Sequence, residues 1–80
     1  ILKNYFMKIA ESMYKALVKK YEAEIAEAEA TLLIYFNNPV GIGEHPQHLE
    51  EMDKMVEKYA NAKDKLESLV GLIKFDNNGN

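Results

Sequence analysis

The sequence predicts an all-α fold, an antiparallel two-helix hairpin that dimerises into a four-helix bundle. Three observations predict it. Both prolines and two of the four glycines fall in one stretch, Asn37-Asn38-Pro39-Val40-Gly41-Ile42-Gly43-Glu44-His45-Pro46. The residues on either side are dominated by Ala, Glu, Lys and Leu, all good helix formers. On both sides of the break, apolar residues recur in steps of three and four.

Helix 1 is expected over about residues 2–36, which hold neither Pro nor Gly. Its apolar stripe runs Leu2, Phe6, Ile9, Met13, Leu17, Tyr21, Ile25, Ala28, Leu32 and Tyr35. The steps average about 3.7 residues, near the helix's own period, so the stripe follows the helix almost straight. The opposite face is polar at Asn4, Lys8, Glu11, Lys15, Lys19, Glu22 and Glu29. A loop over residues 37–45 follows. Helix 2 is expected over about 46–75, with Pro46 at the first helical position, where a missing N–H costs nothing. Glu44, Glu50, Glu51 and Asp53 lie at or near the positive end of its dipole. Its stripe is Leu49, Met52, Val56, Tyr59, Ala62, Leu66, Leu69 and Ile73, averaging about 3.4 residues per step and close to a heptad. The tail 76–80, Asp-Asn-Asn-Gly-Asn, is expected to fray. All 80 residues then form one domain.

A helix of 35 residues is about 52 Å long, whereas a compact chain of this length has a radius of gyration near 12 Å. The domain must therefore be a rod. Folding at the loop sets Leu32 against Leu49 or Met52, Tyr21 against Ala62 and Ile9 against Ile73, with residues 1–6 overhanging.

One partner helix does not use all this apolar surface. Tyr5, Phe6, Met7, Ile9, Ala10, Met13, Tyr14, Leu17 and Val18 span more than half the helix circumference, where about 100° suffices for one neighbour. Leu32 to Phe36 is apolar all round. A second copy of the hairpin would supply the missing helices. The residues expected to carry that assembly are Phe6, Ile9, Met13, Leu17, Tyr21, Ile25, Leu66, Leu69 and Ile73. Charge gives the assembly a sense. Residues 1–20 carry net +4, residues 21–57 net −8 and residues 58–80 net +1, so two hairpins packed head to tail bring opposite charges together.

Composition excludes several classes of function. Without cysteine there is no disulfide framework, thiolate metal site or thiol nucleophile. The longest apolar run, Leu32 to Phe36, is far short of the roughly 20 residues that cross a bilayer. Lys3 and Lys8 interrupt any secretory core, so a cytoplasmic protein with no membrane partner is expected. A first residue that is Ile rather than Met points to a start that was trimmed or lies upstream.

The residues bear on four chemistries. His45, His48 and Glu51 form an i, i+3, i+6 series of possible zinc or nickel ligands, yet a structural site wants four ligands, so no metal is expected. Gly41-Ile42-Gly43 before a helix has a phosphate-cradling look, but the clustered acids repel an anion, and no cofactor is expected. The lysine-rich end, with Lys3, Lys8, Lys15, Lys19 and Lys20 interleaved by Tyr5 and Tyr14, supports nucleic-acid association as the alternative function. Ser12, Thr31 and Ser68 have no histidine at a useful helical spacing, and a rod offers no deep pocket, so no enzyme is expected.

The segment Asn37 to Pro46, followed by Leu49-Glu50-Glu51-Met52-Asp53-Lys54 and Ala62-Lys63-Asp64-Lys65-Leu66-Glu67, resembles small uncharacterised helical proteins of large contractile-tailed bacteriophages, including those of marine cyanobacteria. The resemblance covers roughly Tyr35 to Leu69 and is strongest at Gly-Ile-Gly-Glu-His-Pro. It implies a non-enzymatic accessory product acting in the infected bacterial cytoplasm. Val40, Ile42, Glu44, His45 and His48 are then the candidate surface for a host or phage protein.

Overall fold

The computed structural model describes the backbone of residues 2–37 and 47–78, and the side chains of residues 4, 6–37 and 48–73. Two helices, α1 (Leu2–Asn37) and α2 (Gln47–Asn78), pack along each other, and the described residues contain no strand. The molecule measures 62 × 19 × 17 Å with a radius of gyration of 18.1 Å, the rod that the helix lengths require. Pro46 and the expected loop lie outside the described residues.

α2 continues through Asp76, Asn77 and Asn78, beyond the expected end near residue 75. Asp and Asn cost only a few tenths of a kcal/mol each relative to better helix formers, and extending an existing helix needs no new nucleus. With Val18 and Leu66 side by side in one groove, residue 78 lies level with Phe6, so the start of α1 at residues 2–5 still extends past the end of α2, and the overhang ends one residue earlier than expected.

The residues that face the partner helix follow a stricter repeat than the apolar stripes. On α1, Tyr14, Val18, Tyr21, Ile25, Ala28, Leu32 and Tyr35 are half-buried or buried, and on α2 His48, Met52, Met55, Tyr59, Ala62, Leu66, Leu69 and Ile73; half-buried Glu24, Thr31 and Lys58 flank this seam. Every step is an alternating three or four, a repeat of 3.5. Two long helices stay in contact only along such a seam, because a straight stripe drifts around the axis by about 20° per heptad. This corrects both expected stripes. Met13 and Leu17 give way to Tyr14 and Val18, and Leu49 and Val56, 63% and 50% exposed, give way to His48 and Met55.

Only Ala28 and Ala62 are buried among the described residues, at 0% and 2% exposure, and no large side chain is fully enclosed. Small residues at these two seam positions let the helices approach closely. Polar links fix the alignment: Lys58 Nζ donates to Glu27 Oε1, the Lys65 ammonium lies 6.0 Å from the centre of the Tyr21 ring, and the Tyr35 and His48 rings are 5.7 Å apart. The expected pairing of Tyr21 with Ala62 therefore holds to within about one helical turn.

Candidate functional site

The hairpin has two unlike sides. One carries two open grooves. Near the loop, Glu29, Leu32, Leu33, Phe36 and Tyr59 line a groove of about 420 Å³. Toward the open end, Tyr14, Lys15, Val18, Lys19, Glu22, Leu66 and Val70 line another of about 630 Å³. Both follow the same lines of side chains. On α1, Lys15, Glu22, Glu29 and Phe36 are spaced by sevens, as are Val18, Ile25 and Leu32; on α2, Met52, Tyr59, Leu66 and Ile73 are too. Residues seven apart share one side of a helix that keeps a heptad seam, so the two grooves open in the same direction.

The second side is charged in its middle and apolar at its ends, with Ile34 exposed near the loop and a longer stripe toward the open end. Phe6, Ile9, Met13 and Leu17 stand exposed there. Farther toward the loop, this side is crossed by the Lys58–Glu27 pair and by Lys20–Glu24 at 3.3 Å. Thr31 Oγ1 donates to the Glu27 carbonyl at 2.8 Å, the usual way a helical threonine satisfies its hydroxyl.

The nine residues expected to carry assembly divide accordingly. Tyr21, Ile25, Leu66, Leu69 and Ile73 are half-buried in the seam of a single hairpin, whereas Phe6, Ile9, Met13 and Leu17 are exposed. Leu33, Phe36 and Val70 also face the grooves, and the expected stripes of α1 and α2 pass them over. Their signal in the sequence is the seven-residue spacing, which becomes visible once the seam is known to repeat at 3.5.

Of the candidate partner loop, Val40, Ile42, Glu44 and His45 lie outside the described residues. His48 is half-buried, its ring tilted 55° against that of Tyr35. Glu51 reaches toward Lys54 at 3.9 Å, within its own helix. Among the described residues, no three His, Cys, Asp or Glu side chains gather as a metal site would need, and no helix is long and apolar enough to cross a membrane.

No family model, curated protein or solved structure matches this chain.

Proposed function

We propose that this chain is a non-enzymatic interaction protein that works by self-association, two hairpins packing antiparallel into a four-helix bundle. The observation that carries this reading is its surface. The chain of 9.2 kDa leaves 6579 Å² accessible, against about 4,900 Å² for a compact protein of that mass. Much of what stays exposed is large and apolar: Phe6, Met7 and Met13 at one end, Leu33, Ile34 and Phe36 at the other. Clusters of exposed large apolar residues at both ends of the rod support association through its surface. Sedimentation equilibrium tests the reading; a well-folded monomer at micromolar concentration overturns it.

An accessory role for a contractile-tailed bacteriophage rests on the likeness of residues 37–46 and the helix behind them. In that role, the acidic loop end meets a host or phage protein. Replacing Glu44 and His45 should then spare folding and remove the partner from a pull-down. A second reading, nucleic-acid association, is supported by exposed Lys8, Lys15, Lys19 and Lys20 along the first half of α1. Filter binding at low salt decides it, because phosphate contacts of this kind weaken steeply as salt rises.

A further inference from the structure

Resting on the self-association proposed above, we infer which side of the hairpin meets the second copy: the side with the two grooves, loop end against open end. The Leu33–Phe36 groove of each protomer then receives the Tyr14–Val18 region of the other. Three observations select this arrangement.

The first is continuity. An antiparallel copy covers a hairpin along its whole length, so the contacted side must be apolar at both ends. The grooved side is, with Leu33, Phe36 and Tyr59 near the loop and Tyr14, Val18, Leu66 and Val70 toward the open end, and its lining carries apolar residues in both grooves. On the other side, Lys20, Glu24, Glu27 and Lys58 interrupt the apolar surface between Leu17 and Ile34, and a second copy laid along it would bury them. Burying those charges is unfavourable.

The second is charge. Lys15, Lys19 and Glu22 flank the open-end groove, leaving it net positive, and Glu29 flanks the loop-end groove. Head-to-tail docking places the lysines beside Glu29 of the second copy. Docking open end to open end would instead set two segments of net +4 against each other.

The third is area. The chain exposes about 1,600 Å² more than a compact protein of its mass, and a standard interface covers about 800 Å² per partner. One side of this rod is enough to supply that. The Phe6–Leu17 stripe stays on the outside of the bundle.

The chain has no cysteine, so introduced thiols report unambiguously. Single variants Leu33→Cys and Lys15→Cys mark the two grooves, and Ile34→Cys and Met13→Cys mark the other side, all at exposed positions. Each is first shown to be helical by circular dichroism. Mixing Leu33→Cys with Lys15→Cys and adding a short bismaleimide should give covalent dimer as the main product. Leu33→Cys alone, and the Ile34→Cys with Met13→Cys mixture, should give little. Efficient linking of Ile34→Cys to Met13→Cys overturns the choice of side, and efficient linking of Leu33→Cys to itself overturns the head-to-tail sense. A native chain that sediments as a monomer overturns self-association itself, so the two failures are told apart.

Discussion

Lys58 of α2 donates to the Glu27 carboxylate of α1, tying together residues 31 apart in sequence. The pairs Lys15–Glu11, Lys20–Glu24 and Lys54–Glu51 each lie within one helix and carry no information about register. Lys58–Glu27 bridges the helices on the side away from the grooves, beside the Ala28 position where the helices come close.

That pair is half-exposed, so its worth is about 0.2–1 kcal/mol and it is screened by salt. Lys58→Ala should lower the melting temperature by a few degrees in low salt, the scale expected for a domain of this size. The charge swap Glu27→Lys with Lys58→Glu should restore most of the loss. Melting curves in 1 M salt should bring all three proteins together; a persistent difference would mean that Lys58 acts through packing instead.

Ala28 is fully buried at the seam. Ala28→Leu should force the helices apart at a cost of about 1–3 kcal/mol. Ala26→Leu, two residues away on an exposed position, should leave stability nearly unchanged. Thermal melts of the two variants check the contrast, and equal melting temperatures would contradict a close approach at Ala28.

Gly71 lies inside α2, and a Cβ added there meets nothing within 4 Å. Gly71→Ala should therefore stabilise the hairpin by about 0.5–1 kcal/mol through reduced freedom of the unfolded chain. A rise of several degrees in melting temperature is expected, and a fall would show that the position is occupied in the assembled protein.

The two sides of the rod should respond differently to a new charge. Leu33→Lys, in the loop-end groove, should weaken self-association at least about tenfold, the effect of roughly 1.4 kcal/mol. Met13→Lys, equally exposed on the other side, should change it less than about threefold. Sedimentation equilibrium measures both; the reverse order would move the interface to the Phe6–Leu17 stripe. Raising salt should also weaken the native assembly, since Lys15 and Lys19 are proposed to face Glu29 of the second copy.

Sequence by itself determined two helices, the break between them and a rod-like hairpin, because Pro and Gly are concentrated in residues 37–46 and helix formers with three-four spacing fill the rest. It also determined the pairing of the helices to within about a turn, since a short break leaves little choice of alignment. Which residues meet across the seam was decided only by the tertiary structure. Tyr14 and Val18 stand beside Met13 and Leu17 on a broad apolar face, and periodicity in α1 alone allows either set. Packing against α2 selects the 3.5 repeat, because long helices lose contact along any other line. That selection divides the surplus apolar surface into a grooved side and a second side whose apolar ends are separated by Lys20, Glu24, Glu27 and Lys58. The grooved side is not visible in a single helix, since it is shared between α1 and α2.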